Sequence, residues 1–458
     1  MRNSLFLLLL LAISFSSCKR FLDIEPKGSV PDDITIYDKT SAQTALNGAY
    51  RQLGSQGYYG ENFVTLGYFP SGDIQNNTTG GAANLVNVNF RSDDANFNTS
   101  WNAIYNAINR ANHVITKVPS IPSNSQFSEE LKKQIIAEAK FIRAVSYFDL
   151  ARGWGGVQIF LTPTADVKTR PVVARSTIQQ TYEQVLKDLT EAEADLPESN
   201  NRIRATKQSA RALRARLHLY KKDWTDAVSY ASKLIDDKSN YELVKPFSAW
   251  FLNNVTGTKE SIFEIQYSAQ NQSSLRAQMQ HPSKGGTYRY APNDRFVALL
   301  KDPDISGGRK ALIDSVKQGN TTLWFGNLYY RNPATDPSYV LRIAEMYLIR
   351  AEAYTQLDKL QEGLDDLNLI RGRSNVPLLQ LGQDVTTKED VLEAIEAERR
   401  IEFAWEGHRW FDLARTGRAK TVLEALDPKT KVDAWEYVFP IPVTQTQLDP
   451  ALIQNPGY

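Results

Sequence analysis

Along most of the chain apolar residues recur every three to four positions, the spacing of amphipathic helices that turn one face to a core. The pattern predicts helices over about 40–54, 100–118, 128–151, 177–195, 207–220, 224–236, 338–357, 360–373 and 388–415. Boundary chemistry agrees: Ser176 with Gln179 and Thr387 with Asp390 have capping-box spacing, and Pro119 and Pro197 stand just beyond two ends. Strand alternation is brief. Val86, Val88 and Phe90 alternate with asparagines, Phe263, Ile265 and Tyr267 with Glu264 and Gln266, and Val157 to Leu161 follows a Gly155-Gly156 turn. From about 245 to 337 the periodicity gives way to Gly, Pro, Asn, Gln and aromatics, the composition of an irregular insertion, and such insertions commonly carry function. Tyr329 and Tyr330 read as a core strand beside it.

A weak repeat ties the helices together. Arg143-Ala144-x-x-Tyr147, Arg214-Ala215-x-x-His218 and Arg350-Ala351-x-x-Tyr354 share one core. In the last two the match runs on, with Trp224, Ala227, Val228 and Leu234 opposite Leu360, Gly363, Leu364 and Ile370. Small residues let two helices approach and large ones fill between them, as in tetratricopeptide hairpins. The fold expected is therefore mainly α: a tetratricopeptide-like repeat scaffold with loop-rich insertions and a few short strands.

The amino terminus departs from this pattern. Arg2 precedes an apolar run from Leu5 to Phe15, too short to span a bilayer but the size of a secretory h-region, and Ser16-Ser17-Cys18 follows. Residues 1–17 thus read as a lipoprotein signal peptide, Cys18 as the thiol that receives acyl chains such as palmitate, and 18–458 as a single body carrying its ligand-binding insertion around 245–337. Several acyl chains hold a protein on a membrane where one barely does.

Composition narrows the chemistry. The chain has 458 residues, with Lys+Arg 53 against Asp+Glu 52, so bulk charge recruits no nucleic acid. One cysteine excludes disulfides and thiolate cages, and four scattered histidines argue against a catalytic zinc, so neither metal nor cofactor is expected. No GxSxG, HExxH, GxGxxG or P-loop occurs. The most enzyme-like pair is Glu398 and Glu402, one turn apart on a helical stripe and suited to acid–base work. Arg399, Arg400, Arg409 and Arg415 lie in the same stretch, and ion pairing explains the pattern without a reaction.

Rings and amides cluster in predicted loops: Tyr58, Tyr59, Phe63, Tyr68 and Phe69 before Asp73, Asn76 and Asn77, then Tyr288-Arg289-Tyr290, then Trp324-Phe325-Gly326-Asn327. Flat rings cover apolar sugar or peptide faces while amides and charges pair with hydroxyls or backbone groups. Asp73, Asn76, Tyr288, Tyr290 and Trp324 are the ligand-binding candidates.

Ordered blocks along the chain carry a family resemblance: Cys18 to Pro26, Ser71-Gly72-Asp73, Trp101 to Ile115, Glu138 to Gly156, Leu341 to Ala353, Glu398 to Arg415, and the ending Phe439-Pro440-Ile441-Pro442 through Tyr458. Through them the chain resembles the SusD/RagB nutrient-binding outer-membrane lipoproteins. The resemblance implies a SusD-like α/α superhelix, no enzymatic activity, and a lipid-anchored protein displayed on the cell surface. It also implies that the protein caps a SusC-like TonB-dependent transporter and captures oligosaccharide, or in some members peptide. Among the candidates only Asp73 falls in a family block; the rest come from loop chemistry. Lys19 and Arg20 follow the cysteine where surface-export signals of such lipoproteins tend to be acidic. Two other readings remain open at this point: a secreted glycoside hydrolase using Glu398 and Glu402, and a scaffold that binds only other proteins.

Overall fold

Ala42, Leu46, Ala49 and Leu53 form one buried stripe along helix α1 (Lys39–Leu53), which Asp38 and Ser41 open with a reciprocal capping box. The same logic builds α2 (Ala95–Lys117), α3 (Glu129–Trp154), α4 (Ile178–Asp195), α5 (Lys207–Lys221) and α6 (Trp224–Ile235). After the insertion come α7 (Ile343–Gln356), α8 (Leu360–Arg373), α9 (Lys388–Glu402) and α10 (Arg409–Arg415). The computed structural model describes residues 35–77, 83–164 and 172–458; the signal segment and Cys18 lie outside them.

Successive helices pack as neighbours: α1 on α2, α2 on α3, α3 on α4, α5 on α6 and α7 on α8, with α6 against α7 joining the halves across the insertion. This pairing of sequential neighbours is the helical-repeat packing expected from the sequence. Its arginines clamp adjacent helices, Arg143 on Asp188 at 2.7 and 2.8 Å and Arg350 on Asp366 at 2.7 and 2.8 Å. Arg214 instead turns back to Glu193 on α4, at 2.9 Å. Gly363 is required where α8 crosses α7, because a Cβ there would lie 2.3 Å from the Thr355 hydroxyl.

Several expected elements shift. Thr177 and Gln180 make the α4 capping box, one residue later than Ser176 and Gln179, whereas Thr387 and Asp390 cap α9 as expected. The helix expected over 338–357 begins at Ile343, because Ser338–Arg342 is a strand paired with Ser261–Ile265. The helix expected over 388–415 breaks after Glu402, since Gly407 adopts φ +78° and its backbone sits against the Asn62–Tyr68 helix at Gly67. The expected strand at 86–90 is absent: Val86 ends a short helix and Val88 has φ +56°. Residues 157–161 pair in no ladder among the described residues, and Tyr329 and Tyr330 lie just beyond the last strand residue, Gly326, in irregular chain.

The insertion is not formless. Strands β1 (Ile74–Asn76), β2 (Ser261–Ile265), β3 (Tyr290–Pro292), β4 (Ile313–Gln318), β5 (Thr321–Gly326) and β6 (Ser338–Arg342) form three antiparallel pairs, β1 with β3, β2 with β6 and β4 with β5. One hydrophobic core runs from Ile36 to Leu452, and a second joins α7, α8 and α9. No described helix is long and apolar enough to cross a membrane.

Candidate ligand-binding face

Three segments far apart in the chain meet on one face. Strand β1 pairs with β3 so that Asn76 stands opposite Tyr290 and Ile74 opposite Pro292. Just beyond the ladder, Asn77 donates its backbone N–H to the Arg289 carbonyl at 3.0 Å and its side-chain amide to the Tyr288 carbonyl at 3.2 Å. Tyr288 in turn donates its hydroxyl to the Trp324 carbonyl on β5 at 3.1 Å. The sequence candidates Asn76, Tyr288, Tyr290 and Trp324 are therefore brought together, with Trp324 on a strand where a loop was expected.

Their environments differ. Tyr290 is 4% exposed and packs on Phe69, ring centroids 4.3 Å apart. Burial pushes its phenol up to about 12 against the pull of Arg289. Tyr288 and Trp324 are half-buried and Asn77 is exposed, so these present ring and amide surface outward. Tyr288 holds φ +50°, a conformation bulky residues adopt only when their surroundings impose it, and such residues cluster at binding sites. Its N–H bonds the Gln280 carbonyl at 2.9 Å, and the His281 ring meets its ring edge-on at 5.6 Å. The Lys301 ammonium stands 5.1 Å above the Trp324 ring. His281 and Lys301 escaped the sequence reading as members of this face, since nothing local marks a lysine at a helix end as the neighbour of a tryptophan on another hairpin.

Asp73 points the other way. It is 3% exposed and accepts both Nε and Nη2 of Arg400 on α9, so its carboxylate is committed to the protein. Tyr58, Tyr59, Phe63, Tyr68 and Phe69 are core residues too. Tyr58 and Tyr59 donate to the same Asp149 oxygen at 2.6 and 2.8 Å.

Glu398 and Glu402 are 2% and 0% exposed and sit in a buried charge lattice. Arg309 and Arg371 bind Glu398, the latter at 3.0 Å. Arg373 and Arg342 bind Glu402, the latter at 3.2 Å, and both also reach Glu260. Arg342 closes the lattice on Glu406 with bonds of 2.7 and 2.8 Å. Despite burial, the surrounding guanidiniums of Arg373, Arg342 and Arg309 hold the Glu402 carboxyl below its usual range. Burial pushes Glu406 up to about 7 against Arg342. Four carboxylates matched by four guanidiniums is structural pairing, as the sequence reading favoured. Of the histidines, His218 lies 3.2 Å from Asp223, but Lys221 takes the same oxygen at 2.7 Å and already balances it.

The comparisons with known proteins come down on the same architecture. Residues 327–458 match the model of the SusD family, and residues 20–219 match a SusD-like model described as starch-binding associating with outer membrane. The chain belongs to the SusD/RagB family. Among SusD relatives, SusD-like protein P38 of Formosa agariphila is 26% identical over 511 residues, covering 99% of this chain and 98% of that one. The crystal structure of a SusD superfamily protein from Bacteroides vulgatus ATCC 8482 is 27% identical and superimposes with a TM-score of 0.78, over 92% of this chain and 99% of its own. A laminarin binding SusD-like protein, 23% identical, shares the fold with a TM-score of 0.76 over 92% of this chain and 100% of its own. The mainly helical SusD architecture is thus the fold of this chain, with the block from Glu398 to Arg415 serving as its charged keystone.

Proposed function

We propose that this SusD/RagB member is a non-catalytic, lipid-anchored outer-membrane protein that binds a neutral oligosaccharide and passes it to a SusC-like TonB-dependent transporter. The observation that carries the reading is the convergence of Asn76–Asn77, Tyr288 and Trp324, from three distant segments, on one face with ring and amide surface turned outward. Rings cover the C–H faces of a pyranose while amides and the Lys301 ammonium serve its hydroxyls. The burial and ion pairing of Glu398 and Glu402 speak against the hydrolase reading that relied on them, and the family's SusD relatives support carbohydrate as ligand class. Cys18 supplies the anchor and Asn76, Tyr288 and Trp324 the contacts; Tyr290 supports them from the core, and Asp73 acts by fixing the β1 approach to α9.

Affinity in the millimolar to micromolar range, about −4 to −8 kcal/mol, suits a few rings on a hydrated ligand after ordering costs. Isothermal titration of the mature chain with a panel of oligosaccharides and short peptides tests the reading. Trp324→Ala and Tyr288→Ala should each weaken oligosaccharide binding at least tenfold. Binding unaffected by either, or confined to peptides, overturns the assignment of ligand and site. Co-purification with a TonB-dependent transporter from native membranes tests the partner.

A further inference from the structure

A bulky residue at φ +50° stays there only where its neighbours fix it, and for Tyr288 those neighbours form one loop, residues 280–289. Three backbone bonds tie the returning arm to the helix Leu275–Met279 and its end: the N–H groups of Thr287, Tyr288 and Arg289 meet the carbonyls of Ala277 at 2.7 Å, Gln280 at 2.9 Å and Gln278 at 2.8 Å. The buried Gln280 amide anchors the outgoing arm beside the hairpin that carries Trp324, donating to the Gly326 and Tyr329 carbonyls at 2.8 and 3.1 Å. Gly286 is needed where the arms close, since a Cβ there would lie 2.0 Å from the Gln280 carbonyl oxygen.

Between the arms, two side chains shape the turn Pro282–Lys284. Arg276 donates to the Gly285 carbonyl at 3.3 Å and to the Lys284 carbonyl, and its charge is fixed at every working pH. His281 caps the turn: its Nδ1 accepts the Ser283 N–H at 3.2 Å and lies 2.9 Å from the Ser283 hydroxyl. The same ring meets the Tyr288 ring edge-on at 5.6 Å, so one imidazole both folds the turn and abuts the tyrosine that the turn delivers. Tyr288 then reaches Trp324 through the 3.1 Å bond of its hydroxyl.

That cap carries a chemical condition. A ring nitrogen accepts an N–H only with its lone pair free, so Nδ1 is bare and Nε2 holds the proton; a doubly protonated ring has two donors and no acceptor. The Ser283 hydroxyl can turn to take the new N–H, but the Ser283 backbone N–H is left without its acceptor. Charged groups about the loop are Arg276 beneath the turn, Lys284 within it, Arg289 on the returning arm with Glu61 near it, Asp294, whose charge acts on Tyr288, and Lys301 over Trp324. The imidazole is half-buried and thus open to protons from solvent. We propose that neutral His281 is a positioning residue of the candidate ligand face, which sets Tyr288 against Trp324 by capping the turn and loosens it on protonation. The binding half of this proposal rests on the reading above, in which Tyr288 contacts oligosaccharide; the loop half does not.

Two measurements on the mature chain separate these halves. In the first, without ligand, protection of amides 282–289 against hydrogen exchange and the His281 ring resonances are followed from pH 7.5 to 5.5. Protection factors should fall at least threefold as the ring takes its proton. His281→Asn, whose amide oxygen caps without titrating, should keep them at both pH values, and His281→Ala should lack them at both. The second is titration with maltohexaose, laminarihexaose and xylohexaose over the same range. The affinity of wild type for whichever it binds should fall at least threefold, that of His281→Asn should hold within twofold of the wild-type value at pH 7.5, and that of His281→Ala should be low throughout. Protection indifferent to the ring's proton, a ring that gains none in this range, or wild-type protection in His281→Ala overturns the proposal. Protection that responds while affinity does not overturns the binding half and leaves the loop half standing. A wild type that binds none of the three sugars overturns the binding half together with the oligosaccharide reading, and the exchange measurement then judges the loop half alone.

Discussion

Arg342 is the member of the charge lattice whose loss has the most predictable consequence. Its guanidinium bonds Glu406 at 2.7 and 2.8 Å, Glu260 at 2.8 Å, Glu402 at 3.2 Å and the Glu402 carbonyl at 3.0 Å, and it lies over the Trp250 ring at 4.3 Å. Taken singly, hydrogen bonds to charged groups contribute about 1.5–3 kcal/mol each, but their sum overstates the loss, because an arginine 2% exposed has itself been stripped of water. Arg342→Met keeps the volume and the ring contact while leaving Glu260 and Glu402 with Arg373 and Arg309 only, and Glu406 with none. Removing one partner of a buried pair costs about 3–5 kcal/mol, a large share of a typical folding free energy of about 5–15 kcal/mol. Urea unfolding at pH 8, where Glu406 is ionised, followed by tryptophan fluorescence and far-UV dichroism, measures the loss; coincident curves justify a single free energy. Adding Glu406→Gln should restore part of it, since the acid left stranded is then neutral. A loss below about 1 kcal/mol with an unchanged denaturant slope would refute the claim that this lattice holds the insertion to α9.

Four further outcomes are expected. Gly407→Ala should cost about 2 kcal/mol or more, read as a lowered thermal midpoint, because the site needs φ +78° and a Cβ would fall 2.7 Å from the Val64 carbonyl. Glu406 should set a pH slope. Its carboxyl holds a proton up to about pH 7 when folded and to about 4.5 when unfolded, so the stability it adds is complete below pH 4.5 and is lost as pH rises to about 7. Glu406→Gln should flatten that window by about 3 kcal/mol in urea titrations at pH 4.5 and 7.5. Asp73→Asn should lower stability by about 2 kcal/mol through the Arg400 pair yet leave oligosaccharide affinity within twofold, which separates its role from that of Trp324. Cys18→Ser should move the protein from the detergent phase to the aqueous phase in Triton X-114 partitioning.

The helices were legible because their cores need a stripe at 3.6 residues, and Leu360–Arg373 matches its expected span residue for residue. What local pattern could not carry were events decided by distant backbone. The helix break before Gly407 exists because Gly67 occupies the space beside it, and Ser338–Arg342 is a strand because Ser261–Ile265 offers a ladder. Val86, Val88 and Phe90 mimic strand alternation although Val88 turns left-handed. At the candidate ligand face, residue type gathered Tyr288, Tyr290 and Trp324 alike and could not separate the core ring of Tyr290 from the two half-buried ones, since the difference is one of burial. The two tyrosines at 58 and 59 look like a binding pair and are instead bound to Asp149.

The β1–β3 ladder also dictates when the molecule becomes competent. Asn76 waits for Tyr290, Asp73 for Arg400, and Gly153 for Phe439, whose N–H bonds its carbonyl at 2.7 Å. Closing loops of such length is slow relative to pairing neighbouring helices, so the hairpins of the superhelix can consolidate while the candidate ligand face is still two unjoined edges. A chain emerging amino end first thus leaves the 74–76 edge unpaired until 290–292 arrives, and truncation before that point should lose the ladder before it loses helix. Completion of this face is a late event in the chain's own assembly.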